Sequence, residues 1–146
     1  MDRGRERFVI ALTRRYAFPA AHVLSRPDRD EGWNLRVYGK CANPAGHGHD
    51  YGLEVSVTGN IQAGSGRIAE PEQIDEIVRE RVLERFGFRL LNGDPAFSEV
   101  VPTAENIARV IHDELEAPLA DVCGARLVRV RLHETRRNSF AYGELR

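Results

Sequence analysis

Residues 49–61 read HDYGLEVSVTGNI, and apolar side chains alternate with polar ones along this run. One face of the run carries His49, Tyr51, Leu53, Val55 and Val57. A period of two residues is typical of a β-strand that buries one face and leaves the other open. The stretch therefore predicts a strand in a sheet that is covered on one side.

Residues 8–22, FVIALTRRYAFPAAH, show the same alternation. Apart from Arg14, one parity of this run carries Phe8, Ile10, Leu12, Tyr16, Phe18 and His22. The two runs predict an antiparallel hairpin. Residues 23–48 between them are rich in Gly, Pro, Asp and Asn, and we expect an irregular insertion. Connections of this length inside a domain are commonly functional or disordered.

Two helices and two strands follow in the predicted order. Residues 71–87 have an apolar stripe at helical spacing, with a proline at the start and a glycine as the stop. Residues 103–119 form a second such pattern behind Thr103, a good N-cap residue. Strands are predicted over residues 126–134 and 139–143. The order ββααββ predicts an α+β fold, a four-stranded antiparallel sheet with two helices on one face.

Composition predicts a single domain over residues 1–146, with 29% charged and 42% hydrophobic residues. The net charge of −1 gives no support for nucleic-acid or anionic-membrane binding. We find no apolar run long enough for a membrane span, and MDRGRERFVI lacks the apolar core of a signal peptide. Two cysteines do not make a disulfide framework, so we expect free thiols and a cytoplasmic location.

Hairpin geometry brings three histidines together. The end of the first strand lies beside the start of the second, which places His22 near His47 and His49. All three belong to the inward parity of their strands. Three neutral imidazoles with an open fourth position are typical of a catalytic zinc site. The alternative is that each histidine is an isolated polar residue at a strand end, and the third histidine favours zinc.

Cys41 lies in the same stretch, GKCANPAGHGHDYG at residues 39–52. It is either a fourth metal ligand, which would make the site structural, or a free thiol beside the metal. A neighbouring dication would lower the pKa of such a thiol and favour the thiolate. The spacing alone leaves both possibilities open.

Glu134 continues the predicted apolar face of Val128, Val130 and Leu132. A carboxylate on such a face needs partners. It is either an anchor for paired N–H donors of a polar ligand, or a strand-end group that reaches solvent or an arginine of the following TRRN. By parity, His133 points away with the neighbouring arginines and is expected to be solvated.

Four segments together resemble the 6-pyruvoyltetrahydropterin synthase and 6-carboxytetrahydropterin synthase family. They are FPAAHVL at 18–24, NLRVYGKCANPAGHGHDYGLEVSVTG at 34–59, VVPTAENIA at 100–108 and VRLHET at 130–135. The C-x5-H-x-H spacing is similar to that of the pyruvoyl type. The resemblance implies the tunnelling fold, in which sheets of several protomers join into barrels, usually as homohexamers with active sites between subunits.

The resemblance also implies roles for individual residues. His22, His47 and His49 fall on the ligands of Zn²⁺, and Cys41 falls on the catalytic thiol. Glu134 falls on the carboxylate that anchors the pterin, and Thr103 lies in the segment that helps to hold the pterin ring. The implied activity is that of a zinc-dependent lyase with 7,8-dihydroneopterin triphosphate as substrate. A pyruvoyl product would belong to tetrahydropterin biosynthesis, and a carboxy product to a route towards deazapurines such as queuosine.

One family motif is missing. Family members usually carry Leu-Asp-His-x-x-Leu after the first long helix, and its Asp–His pair assists proton transfer. Residues 86–91 here read FGFRLL, so Gly87 and Phe88 stand in place of the pair. Either the reaction needs only zinc and thiolate, or another group replaces the pair, with His112, His133, Asp94 and a neighbouring subunit as candidates. The alternative is a divergent paralogue that binds zinc and a pterin-like ligand with altered or no catalysis.

Overall fold

A four-stranded antiparallel sheet in the order β1-β2-β3-β4 is the frame of the molecule in the computed structural model, which describes residues 10–145. The strands are β1 (Ala11–His22), β2 (His47–Thr58), β3 (Arg126–His133) and β4 (Ser139–Gly143). The predicted α+β class and antiparallel sheet are confirmed. Phe8, which was predicted to belong to the first strand, lies outside the described residues.

The two predicted long helices pack on one face of this sheet. The first comprises α2 (Pro71–Val78), a π-helical turn (Arg79–Leu83) and the short α3 (Glu84–Phe86). The second is α4 (Ala104–Cys123), which continues past its predicted end at residue 119 because its buried stripe also includes Cys123. Gly124 ends α4 in the left-handed conformation, with φ 63°. No helix within residues 10–145 is both long and apolar enough to cross a membrane.

The insertion between β1 and β2 is not irregular, so that prediction is wrong. It contains α1 (Glu31–Tyr38) and a 3₁₀ turn (Gly39–Ala42). Asp30 caps α1 by accepting a hydrogen bond from the Trp33 N–H at 2.7 Å. Asn34 is the buried residue of α1, so the helix lacks the apolar stripe that reveals a helix in a sequence.

The hydrophobic core lies between the helices and the covered face of the sheet. Its largest fully buried side chains on the strands are Phe18, Tyr51, Leu53 and Leu132, and those on the helices include Ile74, Phe86, Ile107, Ile111 and Leu115. Full burial of one such aliphatic or aromatic side chain contributes about 1.5–3 kcal/mol. This layer fixes which parity of each strand faces inward.

A β-bulge changes one predicted inward residue. The pairing of β2 with β3 shifts between Ser56 and Val57, so that Val57 lies opposite Leu127 and Ser56 opposite Arg129. Val128 is the extra residue, and Leu127 is buried in its place. The predicted inward positions of Val130 and Leu132 are confirmed.

The other face of the sheet is polar along β2 and β3. His133 was expected to be solvated there, and its side chain is 45% exposed. Its Nε2 also lies 2.5 Å from Glu54 Oε2, so the ring is hydrogen-bonded to a carboxylate as well as partly exposed to solvent. His133 thus belongs to the sheet face opposite the helices.

Arg85, in α3, links the loop that follows this helix to α4. Its guanidinium donates two hydrogen bonds to Asp94, at 2.9 and 2.8 Å, and lies 2.9 Å from Glu114. Asp94 also accepts the Ala96 N–H at 2.9 Å. The hydrogen bond from Arg85 keeps the pKa of Asp94 below its ordinary value, although partial burial opposes this shift. The pair fixes the loop that connects α3 to α4.

We predict that Asp94→Asn lowers the free energy of unfolding by about 1–3 kcal/mol at neutral pH, because charge-assisted hydrogen bonds are lost. Since the folded state depresses the pKa of Asp94, its stabilisation is present above the ordinary aspartate pKa of about 3.9 and is lost as pH falls through the lower folded value. Urea unfolding at a series of pH values measures the difference.

The exposed Asp121, also aspartate to asparagine, is the matched control and should change stability by less than about 0.5 kcal/mol. A gap between wild type and Asp94→Asn that widens at acid pH would contradict the assignment.

Candidate metal site and active site

The strand register sets the three histidines against each other. In the β1–β2 ladder, His22 is the direct partner of His47, and Ala20 is the partner of His49. The Nε2 atoms of His22 and His47 are 2.9 Å apart, and one ligand atom from each of the three rings lies within 4.8 Å of the others. The predicted convergence of three imidazoles is therefore present, while their role as metal ligands stays a prediction.

His22 is held in one tautomer by the backbone. Its side chain is fully buried, and its Nδ1 lies 2.8 Å from the carbonyl oxygen of Pro102, which can only accept a hydrogen bond. Nδ1 therefore carries the proton, and Nε2 presents a lone pair to the cluster. Burial lowers the pKa of His22 to about 4, so the ring is neutral at physiological pH.

The pKa of His47 is also lowered. Burial, and then the neighbouring His49, lower its pKa, while the charge of Glu134 opposes the shift. Its Nδ1 is buried and has no hydrogen-bond partner in the part of the chain described. Neutral imidazoles are the form that binds metal ions.

The donor set fits a zinc ion. Three imidazoles bound at about 2.0–2.1 Å in tetrahedral geometry would have nitrogens roughly 3.4 Å apart. The observed separations, from 2.9 Å up to the limit of 4.8 Å, bracket that value. His22, His47 and His49 could therefore hold zinc with small side-chain adjustments.

Tyr51 packs against the rings of His22 and His49. It was not identified as a site residue from the sequence. It is fully buried, stacks on Phe18 at 5.3 Å and meets the ring of His49 edge-on at 5.4 Å. Its hydroxyl lies 3.4 Å from His22 Nδ1. Burial raises the pKa of Tyr51, and Glu134 and then Cys41 add to the shift, so the phenol stays protonated. Its position two residues after His49 was the available signal.

Cys41 lies on the 3₁₀ turn that follows α1, and its side chain is partly buried. Its carbonyl oxygen accepts the Leu24 N–H at 2.8 Å, which ties the turn to the chain just after His22. Within residues 10–145, the group of side chains able to hold a metal comprises the three histidines without Cys41. The geometry favours a thiol outside the set of metal ligands over a fourth ligand.

Glu134 follows the last residue of β3, and its charge acts on both His47 and Tyr51. Its backbone N–H donates to the Asn138 carbonyl at 3.1 Å. Thr103 caps α4, with its hydroxyl accepting the Asn106 N–H at 3.3 Å, and it follows Pro102, the partner of His22. Thr103 therefore has a structural reason to be present, and contact of Thr103 or Glu134 with substrate stays a prediction.

The turn at Gly87 and Phe88 is built so that residue 87 must lack a side chain. A Cβ atom at Gly87 would lie 2.4 Å from the carbonyl oxygen of Leu83. Phe88 has φ 59°, rare for a bulky residue, and the residue is 90% exposed. Its N–H donates to the Pro19 carbonyl at 2.7 Å, which pins the turn to β1. The turn thus lacks a proton-transferring side chain at both positions.

The fold and the site together define an antiparallel α+β protein with a cluster of three imidazoles and a free cysteine on the turn before β2. The family model described as 6-pyruvoyl tetrahydropterin synthase matches residues 11–144 of this chain. The chain therefore belongs to the 6-pyruvoyl tetrahydropterin synthase family.

Individual relatives agree with this assignment. The 6-pyruvoyl tetrahydrobiopterin synthase of Homo sapiens is 34% identical over 140 residues, 95% of this chain and 94% of that protein. The protein of the same name from Dictyostelium discoideum is 34% identical over 134 residues, covering 91% and 95%. The structure of Caenorhabditis elegans 6-pyruvoyl tetrahydropterin synthase matches with a TM-score of 0.84 and 28% identity, over 92% and 95% of the two chains.

We predict that His49→Ala weakens zinc binding by at least about tenfold, since even changes in the shell behind a ligand cost 10–100-fold. Zinc titration with a competing chelator measures this affinity in purified protein. His133→Ala is the matched control, because this histidine lies on the opposite face of the sheet, and it should bind zinc like the wild type. Equal affinities of the two variants would contradict the site.

Proposed function

We propose that this protein is a zinc-dependent lyase that acts on 7,8-dihydroneopterin triphosphate. The observation that carries the proposal is the three-histidine cluster together with Cys41, whose backbone carbonyl accepts the N–H of Leu24 two residues after His22, in a chain of this family. The relatives that match nearly the whole chain are named 6-pyruvoyl tetrahydrobiopterin synthases, which supports the substrate class.

In this proposal His22, His47 and His49 hold the zinc ion. When bound, zinc lowers the pKa of hydroxyl groups that coordinate it, as it does for water. The Nδ1–H of His22 stays on the Pro102 carbonyl, which keeps its Nε2 available as a ligand.

Cys41 moves protons at the carbon atoms of the substrate side chain. Glu134 accepts hydrogen bonds from the N–H and amino groups of the pterin, and the segment of Thr103 helps to hold its ring. Tyr51, which burial keeps protonated, packs against the ring of His49.

Gly87 and Phe88 favour a second candidate function. General acid–base assistance typically contributes about 10²–10⁴-fold, and this turn cannot provide it. A protein that binds zinc and a pterin-like ligand without turnover is the alternative. A reaction that needs only the metal and the thiolate, such as carbon–carbon cleavage to a carboxy product and a two-carbon aldehyde, would keep the protein an enzyme.

We predict that zinc-loaded protein consumes 7,8-dihydroneopterin triphosphate, and that Cys41→Ala lowers the rate by at least about 100-fold while zinc stays bound. Mass spectrometry of the products distinguishes a pyruvoyl product, a carboxy product with aldehyde, and unchanged substrate. Cys123→Ser, at the buried end of α4, is the matched cysteine control and should keep the activity.

Turnover that does not depend on Cys41 would remove the thiol from the mechanism. Unchanged substrate with bound zinc and bound pterin would select the binding protein. Loss of zinc in Cys41→Ala would make Cys41 a ligand and the site structural.

We predict that Phe88→His raises the turnover number by at least about tenfold, because it returns a proton-transferring side chain to this turn. Histidine tolerates φ near 59° better than phenylalanine, so the backbone can stay in place. Phe88→Ala, which only removes the ring, is the control and should give no gain. A rate for Phe88→His no higher than that of Phe88→Ala would show that the turn lies away from the reacting atoms.

The proposal includes assembly into a homohexamer in the cytoplasm, with active sites shared between subunits. It is supported by the family and by the outer edges of β1 and β4, which pair with no further strand among residues 10–145, although residues 88–90 cover the end of β1. Open strand edges pair readily with those of another copy. Light scattering after size exclusion tests the hexamer, and a monomer at micromolar concentration would contradict it.

A further inference from the structure

Two asparagine side chains hold the short segment that follows His22. Asn92 Oδ1 accepts the Val23 N–H at 2.8 Å, and its Nδ2 donates to the Val23 carbonyl at 2.9 Å. Asn34 makes the same pair of hydrogen bonds with Arg26. Its Oδ1 accepts the Arg26 N–H at 2.7 Å, and its Nδ2 donates to the Arg26 carbonyl at 3.1 Å. Each side-chain amide thus bonds the backbone N–H and carbonyl of one residue, as a neighbouring strand would do in a sheet.

Asn34 also closes the turn in front of α1. Its Nδ2 lies 3.4 Å from the Arg29 carbonyl and 3.1 Å from the Asp30 carbonyl. The residue is only 8% exposed, which is unusual for an asparagine outside the core. Three carbonyl oxygens therefore converge on one buried side-chain amide.

The segment that carries Cys41 has little apolar packing of its own. Asn34 is the buried residue of α1, and Ala42 is the buried residue of the 3₁₀ turn that contains Cys41. Regions with few buried apolar contacts open locally at low free-energy cost. Polar contacts must then decide how firmly this segment is held.

A continuous path connects Asn34 with the backbone of Cys41. Asn34 fixes α1 to Arg26, and α1 leads directly into the turn that contains Cys41. From the other side, the Leu24 N–H donates to the Cys41 carbonyl at 2.8 Å. Leu24 lies between the two residues that the asparagines clamp. The cysteine turn is thereby docked on the chain two residues beyond His22.

We propose that Asn34 is a positioning residue that holds the Cys41 thiol at the histidine cluster and protects it from opening motions. Its consequence for turnover rests on the proposed role of Cys41. The effect of Asn34 on the position and accessibility of the thiol is independent of that role, since this effect follows from the hydrogen bonds alone.

The test uses Asn34→Asp in a Cys123→Ser background, so that Cys41 is the remaining cysteine. The new carboxylate keeps the size of the side chain, lacks both donors and faces three carbonyl oxygens. We expect iodoacetamide to alkylate Cys41 at least about tenfold faster, because a loss of buried hydrogen bonds favours local opening. Bound zinc should stay the same, and kcat should fall more than KM changes.

Asn60→Asp is the matched control, because Asn60 is exposed in the loop after β2, and it should leave alkylation, zinc content and kcat unchanged. Asn34→Gln keeps the amide but displaces it, and serves if Asn34→Asp does not fold as judged by circular dichroism. Unchanged alkylation in the folded variant would overturn the proposal. Zinc loss in parallel with thiol exposure would also overturn it, since the whole end of the sheet would then have loosened.

The outcome separates the two proposals. If Cys41→Ala keeps full turnover while Asn34→Asp exposes the thiol, the catalytic role of Cys41 fails and the positioning by Asn34 stands. If Cys41→Ala is inactive and Asn34→Asp matches the wild type in both alkylation and kcat, the positioning fails and the proposed function stands.

Discussion

The pairing of His22 with His47 in the β1–β2 ladder is the constraint on which the site depends. A shift of the register by one residue would turn all side chains of one strand to the opposite face. The buried parity that includes Phe18, Tyr51 and Leu53 prevents such a shift, because it would expose those side chains to water. The same core that stabilises the sheet therefore assembles the histidines at its end, and the Pro102 carbonyl then orients the most deeply buried of them.

Much of this arrangement could be predicted from the sequence because period-two patterns report directly on strand faces. They predicted the hairpin, the common face of the three histidines and the sheet with its two covering helices. Other features depend on contacts between distant residues. The β-bulge turns Leu127 inward instead of Val128, and the alternation of apolar and polar residues does not reveal it. The helix α1 buries a single asparagine rather than an apolar stripe. Tyr51 follows the pattern as an ordinary core residue, and only the structure shows its hydroxyl near His22.

The turn at Gly87 shows the same limit in a functional position. The resemblance to the family implied that an Asp–His pair is replaced here by Gly87 and Phe88. The structure adds that residue 87 has no room for a side chain, since a Cβ atom would meet the Leu83 carbonyl. The backbone of this turn is thus adapted to its present residues, and the neighbouring Arg85–Asp94 pair holds it in place. Proton transfer, if it is assisted, must use groups outside this turn.

The central claim is that three histidines hold the metal while Cys41 stays free beside it. X-ray absorption spectroscopy of the zinc-loaded protein tests this claim most directly, because zinc–nitrogen and zinc–sulfur distances differ by about 0.2–0.3 Å. If the three histidines bind zinc without Cys41, the first shell consists of nitrogen and oxygen atoms at about 2.0–2.1 Å, with imidazole multiple scattering. A sulfur ligand at about 2.3 Å would contradict this claim and would make Cys41 part of a structural zinc site.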